Sequence, residues 1–445
     1  MKVLFISLGC DKNLSDSEHM LGLIARHGHE IVDDEAIAEA IIINTCCFIH
    51  DARQESVDTI LEMAEYRKNG PCRALIVTGC LAQQYQNEIM EELPEVDACL
   101  GTASYDKILE ALAQAEKGCR YQMYADTSSP VPDIGERLIT TGGAVGYLKI
   151  AEGCDKRCSY CIIPSLRGSY RSVPMERLVA EAENMASQGV KELILVAQET
   201  TLYGRDIYGK KSLPRLLHAL CRIDGIRWIR ILYGYPEEID DELITCMREE
   251  EKICHYLDIP IQHGSDRILK LMGRRTSKQA LIDLIGKLRS AMPDITLRTT
   301  LITGFPTETE EEHRELMDFV RDMAFDRLGV FTYSQEEGTK AGEMDGQIPE
   351  DVKNARRDEL MSLQQTITAK KGRSFVGKEL SVMIEGRLPE EGVYIGRSYR
   401  DAPKVDGYVF VDAEDELMTG DFVNVRITGS MAYDLTGEKI YTSYT

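Results

Sequence analysis

The nine residues Gly153-Cys154-Asp155-Lys156-Arg157-Cys158-Ser159-Tyr160-Cys161 carry the strongest chemical signal in the chain. Cx3Cx2C puts three thiols on one tight loop. Three thiolates suit three irons of a four-iron cluster and leave the fourth iron open to a reactant. Zinc is the plainer alternative, but it prefers four closed ligands drawn from paired Cx2–4C units. No fourth Cys or His lies nearby in sequence. A second trio is Cys10, Cys46 and Cys80. Each directly follows a predicted parallel strand and a small residue, Gly9, Thr45 or Gly79. Ligands of open α/β sheets gather outside the carboxyl ends of the strands, so these three can converge on a shared metal site. The alternative is three inert core cysteines. Cys47 should point away from Cys46 and is set aside.

The elements that position these thiols follow from hydrophobic pattern. Val3–Leu8, Ala40–Asn44, Ala74–Thr78 and Val96–Leu100 read as apolar strands. Helices run between them, one capped by Ser15 or Asp16 and another over Ala52–Lys68. Continuous apolar strands between helices mean a parallel sheet covered on both faces. Ser128, Ser129, Pro130, Pro132 and Gly142-Gly143 mark residues 120–142 as a linker. Six further βα units follow, with strands near Gly146–Glu152, Glu192–Ala197, Trp228–Tyr233, Tyr256–Ile261, Thr296–Thr303 and Arg327–Tyr333. Six units fit an open, partial βα barrel rather than a closed eight-unit one. A long helix is predicted over Glu350–Arg373. Beyond Phe375, short strands between Gly and Pro turns indicate a small β-barrel or sandwich. The fold class is α/β, with expected domains 1–125 (open parallel α/β), 140–373 (partial (β/α)6 barrel) and 374–445 (small all-β barrel).

The chain has 445 residues, 52 basic and 74 acidic, for a net charge of −22. Residues 375–445 hold 7 basic and 13 acidic residues. Broad phosphate binding needs Lys and Arg, so this balance disfavours a nucleic-acid grip and suits a basic protein partner. No stretch approaches the roughly 20 apolar residues that span a bilayer, and no secretory signal is evident. The expected location is the cytoplasm, with no membrane contact. Thirteen cysteines there are not a disulfide framework.

The Cx3Cx2C loop at the end of the first barrel strand resembles that of the radical S-adenosylmethionine (radical SAM) superfamily. Two cysteine trios, one on an N-terminal α/β domain and one on a radical SAM barrel, followed by a small β-domain, resemble the layout of the methylthiotransferases over essentially the whole chain. The wording is similar to the RimO-type branch at Ser7-Leu8-Gly9-Cys10-Asp11-Lys12-Asn13, Val196-Ala197-Gln198-Glu199-Thr200-Thr201, Leu257-Asp258-Ile259-Pro260-Ile261-Gln262-His263, Val330-Phe331-Thr332-Tyr333-Ser334 and Gly396-Arg397-Ser398-Tyr399. Two departures are Cys47, where Gly is commoner, and Gly264, where that branch often has a larger residue.

The resemblance implies two 4Fe-4S clusters, held by Cys154/Cys158/Cys161 and Cys10/Cys46/Cys80, with S-adenosylmethionine on the first. It implies methylthiolation at the β-carbon of an aspartate of small-subunit ribosomal protein uS12, free or in the subunit. The C-terminal segment resembles a substrate-holding TRAM domain. Implied partners are an electron donor such as flavodoxin or ferredoxin and a sulfur donor. By analogy Tyr160 contacts the adenine, Gln198 and Glu199 the methionine end, Ser265 the ribose, and Gly304 to Glu308 the adenine side. Each of the last four is equally a cap or loop former. Arg171 and His263 are lesser candidates for the same cavity. Competing readings are a tRNA methylthiotransferase acting on a modified adenosine, for which tRNA binding is disfavoured by charge, a cluster-bearing electron-transfer module, and a zinc-stabilised scaffold.

Overall fold

A computed structural model of the chain describes residues 1–135 and 137–441. The first sheet has strands β1 (Lys2–Ser7), β2 (Glu30–Val32), β3 (Ala40–Thr45), β4 (Ala74–Gly79), β5 (Ala98–Leu100) and β6 (Tyr121–Met123), all parallel, in the order β2-β1-β3-β4-β5-β6. The two-residue strand period splits the apolar run of β3 between two cores. Ala40 and Ile42 pack with Met20 and Ile24 of the helix Asp11–Arg26. Ile41 and Ile43 pack with Ile60 and Met63 of the helix His50–Asn69 on the other face. Two details correct the sequence expectation. The first helix starts at Asp11, so Ser15 and Asp16 are buried within it and cap nothing. The segment 120–142 contains β6, and its Arg137 is buried against Glu18 (2.5 Å) and Glu181 (2.8 Å). It is a strap as well as a connection.

The central unit contains β7 (Val145–Lys149), a short pair β8 (Ala151–Glu152) and β9 (Arg171–Ser172), then β10 (Glu192–Val196), β11 (Trp228–Ile231), β12 (Ile253–Asp258), β13 (Thr296–Thr303) and β14 (Arg327–Thr332). Six of these form one parallel sheet, β14-β13-β12-β11-β10-β7. It is the open six-stranded barrel expected. Leu193, Leu195, Ile229 and Ile231 face the outer helices. Tyr147, Ile194, Val196 and Tyr256 line the concave side.

The last unit is a closed barrel of β15 (Glu379–Leu388), β16 (Val393–Ser398), β17 (Val409–Asp412), β18 (Phe422–Ser430) and β19 (Leu435–Lys439), in the order β15-β16-β17-β19-β18. It plugs the concave face at the amino ends of the central strands. Met383, Ala402, Tyr399 and Phe422 join the Tyr147–Tyr256 layer. At this joint Glu192 is fully buried and holds two buried guanidiniums, Arg230 at 2.7 Å and Arg397 at 2.6 Å. The carboxyl ends of the strands stay free for chemistry. Removing the shared carboxylate leaves the buried Arg230 without a carboxylate, while Arg397 keeps Glu385 at 2.6 Å, and breaking such a buried pair costs about 3–5 kcal/mol. Glu192→Gln is therefore expected to lower the urea midpoint well below that of wild type; an unchanged midpoint would show that the joint is wet.

Candidate active site

The N-terminal trio is gathered by the ends of β1, β3 and β4. Cys10 is the residue preceding the helix Asp11–Arg26, Cys46 follows β3, and Cys80 opens the short helix Cys80–Tyr85. Gly9 has φ of +87°, and a Cβ there would lie 2.7 Å from Cys46 Cβ. Only glycine allows the Cys10 loop so close to Cys46. Asn13 fastens the same corner. Its amide donates to the carbonyls of Leu8 (3.1 Å) and Thr45 (3.0 Å), and its Oδ1 lies 3.9 Å from Cys80 Sγ. Burial pushes the Cys46 thiol up to about 12, and the charges of Cys80 and Cys10 add to the effect. Burial raises Cys80 as well. Neighbouring thiolates repel one another until a cation joins them, which is the chemistry of a metal-ligand set. Cys47 is buried among Leu75, Val77 and Leu81.

The second trio leaves the end of β8. Backbone bonds pin its loop: Cys154 N–H to Gly168 O (3.1 Å), Cys161 N–H to Cys158 O (3.1 Å) and Ser159 N–H to Met272 O (2.9 Å). Burial, together with the neighbouring thiols, pushes Cys154 up to about 11 and Cys161 up to about 12. Cys158 Sγ lies 2.9 Å from the Tyr235 hydroxyl. Among the described residues no three His, Cys, Asp or Glu side chains are drawn close enough to hold one metal ion. Three thiols in each set are the donor chemistry that iron–sulfur clusters take.

The two domains that carry the trios meet directly. Lys12, next to Cys10 and Asp11, puts its ammonium 3.4 Å from the ring centre of Tyr233, just past β11. Tyr233 donates its hydroxyl to Asp11 at 3.4 Å. On the far side Glu336, beyond β14, accepts from the His50 backbone at 3.0 Å. Between these points lies a buried ion network. Arg167 bonds Asp16 (2.8 Å), Glu152 (3.1 Å) and Asn13, and Lys149 bonds Asp16 and Glu152 (2.8 Å). Sequence reasoning passed over Asn13, Asp16, Lys149, Glu152 and Arg167. The available signal was charge inside apolar patterns: Lys149 within a buried strand and Asp16 within an amphipathic helix.

The remaining candidates divide. Gln198 donates to Glu152 Oε1 at 2.6 Å and leaves its own oxygen buried and unpaired. Glu199 accepts from Thr201 through Oε1, and its Oε2 lies 3.9 Å from the Lys156 ammonium of the cysteine loop without a hydrogen bond. Gln262 Oε1 and Arg274 Nε and Nη1 are likewise buried without partners, Arg274 stacking 3.9 Å over Tyr235. Unmet buried groups each cost about 1–3 kcal/mol, so this end of the barrel suits a polar, charged ligand such as S-adenosylmethionine. Tyr160 packs with Ile268, Phe305 and Tyr333, which brings it to the turn after β13.

Ser265, Gly304 and Glu308 serve the scaffold. Ser265 gives its hydroxyl to Glu312 at 3.2 Å. Gly304, at φ +71°, leaves space for Lys353, whose Cγ would sit 2.3 Å from a Cβ. Glu308 accepts from the backbones of Gly304 (2.6 Å) and Phe305 (3.1 Å) and from Arg356 (3.1 Å). It closes the turn ahead of the helix Glu310–Met323, which Thr309 and Glu312 cap. His263 is fully buried, accepts from Ser265 N–H at 2.9 Å, and is held neutral by burial, which pushes it down to about 3. Gly264 has its cause nearby: a Cβ would meet Phe319 at 3.1 Å. Arg171 clamps the carbonyls of Arg167 (3.1 Å) and Ser169 (2.7 Å).

Residues 2–101 match the Uncharacterized protein family UPF0004, 148–320 the Radical SAM superfamily and 376–440 the TRAM domain. The ribosomal protein uS12 methylthiotransferase RimO of Lachnoclostridium phytofermentans is 61% identical over 437 residues, covering 98% of this chain and 99% of the relative. The same-named protein of Pelotomaculum thermopropionicum is 50% identical over 441 residues, covering 99% of each. The solved radical SAM methyltransferase TsrM of Kitasatospora setae, with cobalamin and a [4Fe-4S] cluster bound, aligns with a TM-score of 0.56 at 15% identity, over 77% of this chain and 74% of that one. It shares the fold.

Glu199 provides a pH test. Burial pushes its carboxyl from the ordinary 4.5 up to about 7. Between those values the folded chain holds more protons than the unfolded one, so its stability falls as pH rises through that window. In iron-free protein, Glu199→Gln is expected to gain on wild type by on the order of 3 kcal/mol above about pH 7 and by nothing below about pH 4.5. Denaturant midpoints across that range check it; a gap independent of pH would contradict the assignment.

Proposed function

The chain belongs to the RimO family of radical SAM methylthiotransferases that act on ribosomal protein uS12, and we propose that its two cysteine trios divide that reaction between them. Cys154, Cys158 and Cys161 hold one 4Fe-4S cluster, and Cys10, Cys46 and Cys80 hold a second. The target is the β-carbon of an aspartate of uS12, free or in the small subunit. When bound, the clusters and S-adenosylmethionine supply a carbon-centred radical and the methylthio sulfur. What supports this reading is that Arg167, six residues past Cys161, bonds Asp16, Glu152 and the sulfur of Cys80 across the two domains.

The chain's own residues prepare the site. The oxygens of Gln198 and Glu199 that lack hydrogen bonds offer acceptors to a cationic amine, and Tyr160 adds an aromatic wall toward the Gly304 turn. Lys156, 2.5 Å from Glu238 and 3.9 Å from Glu199, keeps the loop charge balanced. His263 stays neutral and bonded to backbone, so it moves no proton at working pH. Water is excluded by the apolar layer of Ile268, Met272 and Phe305 behind Tyr160.

An electron donor such as flavodoxin or ferredoxin and a sulfur donor complete the set of partners, in the cytoplasm. Among the described residues no helix is long and apolar enough to cross a membrane. The acidic balance of residues 375–445 fits a basic protein substrate and disfavours tRNA.

The division of labour has a separable outcome. Alanine at Cys154, Cys158 or Cys161 is expected to abolish both 5′-deoxyadenosine release and the methylthio mass increment on uS12. Alanine at Cys10, Cys46 or Cys80 is expected to keep 5′-deoxyadenosine release and lose the increment. Mass spectrometry of uS12 and of tRNA from a deletion strain completes the test. Loss of a tRNA mark with uS12 unchanged would overturn the substrate.

A further inference from the structure

One side chain outside both trios touches a predicted cluster ligand and the opposite domain at once. Arg167 ends the helix Ile163–Arg167, six residues past Cys161, and is 2% exposed. Its guanidinium is split by function. Nη1 donates to carboxylates, Asp16 at 2.8 Å and Glu152 at 3.1 Å. Nη2 donates to Asn13 Oδ1 and to Cys80 Sγ, the latter at 3.5 Å. Glu152 in turn holds Gln198 at 2.6 Å and immediately precedes Gly153-Cys154. A single planar fork thus reaches from the radical SAM loop to the sulfur of the other domain. Lysine, a point donor, cannot span these directions.

We propose that Arg167 is a positioning residue acting through Cys80: its N–H bond to that sulfur, with the guanidinium charge beside it, makes the N-terminal cluster easier to reduce. The inference rests on the reading that Cys10, Cys46 and Cys80 hold a cluster. Reduction adds one negative charge to the core and its sulfurs. A donor already aimed at a ligand sulfur stabilises the reduced form more than the oxidised one, and hydrogen bonds to cluster sulfurs are an established lever on potential. The site is buried, so the charge is weakly screened. Asp16 and Glu152 offset part of it, yet both engage the other nitrogen of the fork.

The test is a redox titration of the full-length chain, loaded without oxygen and read by electron paramagnetic resonance. Cys154, Cys158 and Cys161 are replaced by alanine so that the N-terminal cluster alone reports. Arg167→Gln is expected to lower the reduced fraction about tenfold at fixed potential, which is about 59 mV toward the negative for one electron. Arg167→Lys should shift it less, in the same direction. In the reciprocal background, with Cys10, Cys46 and Cys80 as alanine, Arg167→Gln should leave the other cluster's potential in place. An unmoved N-terminal potential in iron-loaded Arg167→Gln, or equal shifts in both clusters, overturns the proposal. Should Arg167→Gln not load iron, Asp16→Asn keeps the fork on Cys80 and removes an offsetting charge; a shift toward the positive supports the proposal, and none overturns it. Wild-type chain with no iron at this trio overturns the two-cluster reading and the inference together, whereas a loaded cluster with an unmoved potential overturns the inference alone.

Discussion

Burying four charged side chains at the meeting of two domains is costly unless every one is paired, and Asp16, Lys149, Glu152 and Arg167 are paired on all sides. Desolvation would defeat an isolated pair there. Shared carboxylates and a forked guanidinium meet it with several charge-assisted bonds instead. Such a network tolerates one relative placement of the domains. A sliding contact of apolar side chains would tolerate many. Because Asn13 and Cys80 hang from one end and Gly153-Cys154 from the other, the placement of the charges is the placement of the thiols.

The fold was largely legible from hydrophobic rhythm, for a physical reason. Parallel strands buried on both faces must be apolar throughout, so β3, β4, β10 and β13 stand out in the chain. β2 and β6 were missed because they are three-residue edge strands, too short to show a period. Ser15 and Asp16 look like caps by composition, yet Cys10 ends the extended segment and the helix starts at Asp11. A cap preference of about 1 kcal/mol does not outweigh the need to place a thiol at the end of β1.

Strand ends and loop spacing mark the six thiols in the sequence, and the structure sets Cys10, Cys46 and Cys80 just past β1, β3 and β4. The residues that join the two domains are not so marked. Nothing in a sequence pairs Asp16 with Arg167 across 151 positions. Their partnership exists only once two domains have docked. Glu308 makes the converse point. An acidic residue at a strand end resembles a ligand-binding group, but here both oxygens are spent on the Gly304 and Phe305 backbones and on Arg356.

The helix Glu350–Arg373 runs 24 residues, about 36 Å at 1.5 Å per residue. Near its start Lys353 bonds the Tyr333 carbonyl at 2.8 Å, and Arg356 bonds Glu308. Near its end Lys371 bonds Asp326 at 2.9 Å, and Gly372 abuts Ser430 of the last barrel. It is a stiff rod clamped at both tips. A displacement of the C-terminal barrel would therefore be transmitted to the segment after β14 through one unbroken helix.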